Sequence, residues 1–273
     1  MGGKYLDLNW GRLWFYESSG RGPAVLLLHA NSLSALSFQR QLESPLGKRY
    51  RLVALDFPGH GCSAPSVRPD ETYCLPGYAR VVAEAISALS LPAPILVGNS
   101  LGGFVALEAM ANGVTSQGLM LVDTPPLGKP PKFEDAFLPH PAMSIALNET
   151  WSEDELECVL GANFSSGVHT YPNTFREDLR RTDGRARLNL FASIVAGRYT
   201  DQIEALRALD APIAAVMGEN DQTVNRAYFT RLGIPTLWRG GVETIPAAGH
   251  VPQWEQPVVF NELLEAFILN CLA

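Results

Sequence analysis

Long apolar stretches are missing from this 273-residue chain, and no run approaches the ~20 residues that cross a bilayer as a helix. A secretory leader is not expected, because MGGKYLDLNWGRLW puts no apolar core behind a basic start. Leu6 stands where an N-myristoylation pattern wants Ser or Thr. Positive charge is scarce: 21 Lys and Arg face 28 Asp and Glu, a net −7. No basic stripe is there to neutralise phosphates, which argues against a nucleic-acid partner. Cysteine is sparse. Cys62, Cys74, Cys158 and Cys271 make no C-x-x-C pair, so they read as reduced thiols and the expected location is cytoplasmic. The five histidines form no H-x-H or H-x-x-H pair, so the usual spacing for zinc or paired metals is lacking. Neither G-x-x-x-x-G-K-[ST] nor G-x-G-x-x-G occurs. The expectation is therefore no metal and no cofactor, a small-molecule partner, and either a monomer or a homodimer.

What is present suits a globular protein with a sizeable core: 47% apolar and 18% charged residues, in a length that accommodates one large α/β domain or two small ones. KYLDLNWGRLWFYES alternates apolar and polar residues on both sides of Asn9-Trp10-Gly11, as a hairpin does. AVLLLH (24–29), RLVALD (51–56), PILVGN (94–99), QGLMLVD (117–123) and PIAAVMG (212–218) carry continuous apolar runs, the form of strands buried on both faces of a parallel sheet. VETIP (242–246) is a weaker run of the same kind. Helical patterns lie between them, at about 36–46, 77–90, 101–112, 201–209, 225–232 and 257–270. The alternation predicts an α/β fold with a mostly parallel sheet of about eight strands and helices on both faces.

One stretch breaks the alternation. From Thr124 to about Arg198 no buried-strand run occurs. TPPLGKPPKFEDAFLPHPAM holds six prolines and cannot be a long regular element. Ser152 and Glu155 have capping-box spacing, which starts a short helix. The expected organisation is a core of residues 1–123 and 199–273, with residues 124–198 as a helical cap over the carboxyl ends of the strands, where open α/β sheets bind ligands.

Gly98-Asn99-Ser100-Leu101-Gly102 matches G-x-S-x-G between a strand and a helix. In that setting the turn lifts a serine hydroxyl above the sheet as a nucleophile, with small flanking residues because the backbone passes close to its neighbours. A serine hydroxyl needs a base to take its proton and a third group to orient that base. His250, in AAGHVPQWEQP, lies on a loop between the last strand and the C-terminal helix, and is the expected base. Asp221, in MGENDQTV, follows strand 212–218 and is the expected acid, with Asp123 at the end of 117–123 as its rival. His29 and His60 read as structural, and His140 and His169 as solvated. Oxyanion donors are expected at the backbone N–H of Leu101 and of Asn31, whose side chain is also a candidate for holding a substrate oxygen. Asn99 is assigned to the substrate pocket. Phe133, Phe137, Leu138, Met143, Trp151, Val159 and Phe164 are candidate pocket walls, with ordinary packing inside the cap as the equal alternative.

LLLHANS, LDFPGHGCS, VGNSLGG, GENDQTV and AAGHVPQWEQP together resemble the α/β-hydrolase superfamily over essentially the whole chain. Within it, HANS, PDETYCLPGYA and RTDGRAR (181–187) are similar to the N-acyl-homoserine-lactone lactonases of this fold, which open the ring of bacterial quorum-sensing signals without metal. The chain departs from that type at three places. Ala30 replaces a glycine, Asp221 stands where a Glu serves as acid, and Cys158-Val159 lie where a ligand-contacting tyrosine is expected. The resemblance implies a serine hydrolase acting on a lactone or a small apolar carboxylic ester. A general carboxylesterase or a C–C bond hydrolase with the same three residues is the alternative, and a cofactor-free haloperoxidase-like activity a weaker one. A hydrolase-fold ligand receptor is an alternative of another class, distinguished by near-stoichiometric turnover.

Overall fold

The computed structural model describes residues 2–273, and an eight-stranded sheet runs through them. Its strands are β1 (Lys4–Leu8), β2 (Gly11–Glu17), β3 (Ala24–Leu28), β4 (Arg51–Leu55), β5 (Ile95–Asn99), β6 (Leu119–Val122), β7 (Ile213–Gly218) and β8 (Leu237–Ile245). Their order across the sheet is β1-β2-β4-β3-β5-β6-β7-β8. Only the β1–β2 hairpin and the β2–β4 pairing are antiparallel. The expected α/β class and mostly parallel sheet are what the chain forms.

The continuous apolar runs are explained by burial on both faces. Along each central strand, alternate side chains enter different clusters. Leu26, Val53, Leu96, Leu121 and Ala215 point to one face, beside Tyr78 and Val82 of the helix Leu75–Ala88, Leu107 of the helix Leu101–Ala111 and Leu206. Val25, Leu52, Val97, Met120 and Val216 point to the other, beside Leu46 and beside Phe260, Leu264 and Phe267 of the helix Pro257–Leu272.

Three elements differ from expectation by more than two residues at an end, and of these the helix expected over 225–232 is only Arg226–Phe229. The helix expected over 36–46 is broken into a 3-10 turn Ala35–Phe38 and the short helices Gln39–Leu42 and Pro45–Arg49. Pro45 has no N–H to continue the first helix, and Ser44 caps the next by accepting from Leu46 N at 3.1 Å. The last strand starts five residues before the expected 242, at Leu237. As an edge strand with an irregular register opposite Ile213–Ala215, it exposes Arg239 and Gly240 and lacks the apolar signature of its neighbours.

Between β6 and β7 lie six helices: Phe133–Ala136, Pro141–Ile145, Glu153–Ala162, Asn173–Arg181 and Gly184–Val195 within the stretch 124–198, and Gln202–Ala208 after it. The capping box is formed, with Ser152 Oγ accepting from Glu155 N at 3.3 Å and Glu155 Oε2 from Ser152 N at 2.8 Å. Leu156, Leu160, Phe164, Phe175 and Leu179 of this segment make one apolar cluster with Ala30, Leu33 and Val251. The helical segment is thus packed directly on the loops after β3 and β8.

After β3 the chain goes to β4 on one side, then crosses to β5 on the other. The carboxyl ends of β3 and β5 therefore flank the point where the direction of winding reverses, the crevice in which such sheets bind ligands. Asn31 and Ser100 follow those two ends.

Candidate active site

Ser100 holds φ 50° and ψ −112°, a strained conformation for a residue with a side chain, between the end of β5 and the helix Leu101–Ala111. Its N–H donates to Val122 O at 2.9 Å, and its carbonyl accepts from Gly103 N and Phe104 N. The turn is possible because its neighbours lack side chains. A Cβ at Gly98 would lie 2.3 Å from the backbone of Gly102 and Gly103, and one at Gly102 would lie 2.0 Å from Leu28 O. Leu101 N, at the first position of its helix, is one of the four N–H groups that a helix leaves without an internal partner.

Asp221 and His250 are brought together. His250 Nδ1 and Asp221 Oδ2 are 2.7 Å apart, with the His250 side chain 12% and the Asp221 side chain 4% exposed. The other oxygen of Asp221 accepts from Thr223 N at 2.7 Å, Thr223 Oγ1 at 2.8 Å and Val224 N at 3.2 Å. Burial works to raise the Asp221 pKa, but His250 and these donors outweigh it and hold the carboxyl at about 2. The carboxylate is thus ionised and aimed at one ring nitrogen.

The loop after β3 is ordered by His29. Its Nδ1 lies 2.8 Å from Ala30 O, and its Nε2 accepts from Phe57 N at 2.9 Å. Acceptance at Nε2 places the proton on Nδ1, and full burial pushes the pKa well below the ordinary histidine value. His60 is also buried, which lowers its pKa to about 4, and its Nε2 sits 3.5 Å from Asn31 Oδ1. Asn31 itself is half-buried. His140 accepts from Ala142 N as a helix cap, and His169 is exposed.

The assignment of Asn99 to a substrate pocket is corrected. Asn99 is fully buried. Its Nδ2 donates to Val122 O at 3.2 Å and to His250 O at 3.0 Å, while Oδ1 accepts from Gln253 Nε2 at 3.1 Å. Every polar position of the amide is occupied, and what it holds is the main chain of His250. Nothing local in the sequence signals this, since its partners lie 151 and 154 residues away. Glu255 is a second residue that sequence reasoning misses. Its carboxylate accepts from Gly249 N at 2.6 Å, and from Ser165 N at 3.0 Å and Oγ at 2.8 Å, tying the helical segment to the histidine loop.

Several candidate pocket walls are packed elsewhere. Val159 and Phe164 belong to the interior of the helical segment, with the Phe164 ring 5.0 Å from Tyr171 and 5.3 Å from Phe175. Phe133 packs on Phe137 and Phe191 against the sheet-side core. Phe137 bridges to Val224, and Leu138 N donates to Thr223 O, so that segment runs along the acid loop. Leu138 is 37% exposed, in the wall of a hollow of about 600 Å³ shared with Glu219, Val224 and Arg226. A second hollow, of about 430 Å³, lies against Phe164, Tyr171 and Trp254. Ser100 is in the wall of neither. Met143 is half-buried, and Trp151 donates to Ile145 O at 2.7 Å with its face under Arg187.

The family model described as the alpha/beta hydrolase family matches residues 25–263. Among solved structures, a variant of N-acyl homoserine lactonase AidH complexed with N-hexanoyl homoserine lactone superposes with a TM-score of 0.94 at 31% identity, covering 99% of this chain and 98% of that one. Among sequence relatives, a pimeloyl-[acyl-carrier protein] methyl ester esterase of Xanthomonas oryzae pv. oryzae is 29% identical, over 92% of this chain and 97% of its own. A non-heme chloroperoxidase of Burkholderia pyrrocinia is 26% identical, over 93% of this chain and 95% of its own.

Proposed function

The chain belongs to the alpha/beta hydrolase family, and on that premise we propose that it is a serine hydrolase that opens N-acyl-homoserine lactones through an acyl-enzyme formed on Ser100. Its neighbours in that family support a carboxylic ester hydrolase. The observation that carries the assignment of residues is the 2.7 Å pair of Asp221 and His250, delivered by the loops after β7 and β8, with Asn99, the residue before a left-handed serine, donating to the His250 main chain.

Ser100 Oγ attacks the carbonyl carbon while its proton passes to His250 Nε2. Asp221 accepts from Nδ1–H, fixes the ring in the tautomer that leaves Nε2 free to take the proton, and stabilises the imidazolium that forms. The negative oxygen of the tetrahedral species is received by the N–H groups of Leu101 and Asn31. Collapse breaks the C–O bond, and His250 returns the proton to the departing alkoxide. In a lactone that alcohol stays tethered to the acyl group. His250 then takes a proton from water, the hydroxide attacks the acyl-serine, and one ring-opened hydroxy acid leaves with Ser100 restored. The five-helix segment, residues 124–198, acts as the cap over this site.

The lactone reading rests on the 0.94 TM-score match across nearly the whole chain. The second reading, an open-chain carboxylic ester, is favoured by the methyl ester esterase relative at 29% identity. Acid release in a pH-stat, run across acyl-homoserine lactones and aryl esters with wild type and Ser100→Ala side by side, tests both. Turnover of lactones by wild type and its loss by ~10³-fold or more in Ser100→Ala is expected. Inert lactones beside rapid ester turnover overturn the lactone reading, and full activity in Ser100→Ala overturns the mechanism.

A further inference from the structure

The proposed reaction leaves one carboxyl beside it unemployed. Asp123 directly follows β6 with φ 43°, a left-handed conformation that costs energy for a residue with a side chain, and it is fully buried. Its backbone N–H donates to Val216 O at 2.9 Å, and its Oδ1 accepts from Gly218 N at 3.0 Å. Its Oδ2 is buried, and no N–H or donating hydroxyl of the described residues reaches it. Asp123, Asp221 and His250 each contribute an oxygen or nitrogen atom to a group lying within 4.8 Å of one another.

Two ionised carboxylates cannot share a buried space of that size without severe repulsion, so one of them keeps its proton. The surroundings decide which. Asp221 receives three hydrogen bonds on one oxygen and faces the His250 ring with the other. Asp123 receives one, and the charged groups around it are Asp221 on the β7 loop and Glu255 on the helix Pro252–Glu255, both of which disfavour its anion. Burial first, then the Asp221 charge, pushes the Asp123 pKa well above the usual carboxylate range. A protonated carboxyl also resolves the stranded Oδ2: it becomes a donor, and Asp221 is the acceptor within reach.

We infer that Asp123 is a neutral carboxylic acid whose Oδ2–H donates to the Asp221 carboxylate, making it a positioning residue that holds the acid ionised and turned toward His250. The inference rests on the catalytic reading of Asp221 and His250 for its consequence in turnover, but not for the proton itself.

The proton is read directly by infrared difference spectroscopy of wild type against Asp123→Asn at pH 8. The expected result is a carbonyl stretch of a protonated carboxylic acid, present in wild type, absent in the variant and shifted in D2O. A difference spectrum carrying carboxylate bands alone overturns the proposal. Kinetics test the positioning. Asp123→Asn supplies an N–H in place of the O–H and is expected to rescue what Asp123→Ala loses: kcat about tenfold lower or more at unchanged KM in Ala, and within about threefold of wild type in Asn. Equal losses in the two variants overturn the positioning role, and thermal melting of both separates it from simple unfolding. Activity surviving in Ser100→Ala defeats the serine mechanism and leaves the infrared band untouched, so the two failures are distinguishable.

Discussion

Asn99 donates a hydrogen bond from its side-chain amide to the main-chain carbonyl of His250 at 3.0 Å, so the residue before the serine carries the loop of the histidine. The separation of nucleophile and base is thereby set by one buried side chain rather than by the long route of chain between them.

Replacing Asn99 tests this. Asn99→Asp keeps the shape but trades two N–H donors for an oxygen set against the carbonyls of Val122 and His250. It is expected to lower kcat by about tenfold or more with little change in KM, and to cost roughly 1–3 kcal/mol in urea denaturation, the usual penalty of unmatched buried polar groups. An Asn99→Asp enzyme with normal kcat and a raised KM returns Asn99 to the substrate pocket.

The turn makes a steric demand. Gly102→Ala drives a Cβ to 2.0 Å from Leu28 O, main chain that cannot rotate away. The expected loss is on the order of 3 kcal/mol, seen as a lower melting temperature and poor soluble yield. Gly113→Ala is the control for a glycine with open space, since a Cβ there meets nothing within 4 Å and only its φ of 99° is strained. It is expected to cost less than half as much.

Asp178 makes stability fall with rising pH. It lies in the helix Asn173–Arg181 and accepts from Ser34 Oγ at 2.5 Å, next to the loop that carries Asn31. Burial raises its pKa to about 7, partly offset by the Ser34 hydrogen bond, and burial likewise raises Asp56 to about 6. Because the folded values exceed the unfolded one, the folded state binds more protons at these two groups, and their contribution to stability is fully present below about pH 4 and is lost as pH rises toward 7. Asp178→Asn is expected to flatten this decline, gaining on the order of 2 kcal/mol over wild type at pH 8 and little at pH 5 in urea melts. A variant equally destabilised at both pH values contradicts it.

Glu255 joins two parts of the molecule. Glu255→Ala leaves the N–H groups of Gly249 and Ser165 without their acceptor. It is expected to destabilise by about 2 kcal/mol, as for hydrogen bonds to a charged group, and to speed proteolytic cutting of the stretch 166–170, exposed except at Val168. Limited proteolysis at matched fractions folded provides the check.

The elements of the fold that were legible in the sequence are those whose signal is local. The apolar runs of β3 to β7 announce strands because both faces are covered, and Gly98, Ser100 and Gly102 announce the turn because the pattern that marks it spans five residues. β8 was half-visible, since an edge strand buries little. Asn99 reads as a pocket residue because its partners are remote, and Phe164 stays open between pocket wall and cap interior because an aromatic residue in a helical segment looks the same in either place. Asp221 and His250 were legible as candidates from their order on strand-end loops, but their 2.7 Å approach depends on Thr223, Val224 and the buried amide of Asn99.

The apolar cluster that joins Leu160, Phe164 and Phe175 to Ala30, Leu33 and Val251 makes the molecule poorly modular. A chimera that exchanges residues 124–198 for the same segment of a relative would seat foreign side chains on loops 29–34 and 249–254 shaped for these ones. Substrate range is therefore expected to transfer only when all three pieces move together. A graft of the helices alone would disturb the backbone around Asn31 and His250 before it altered the binding space.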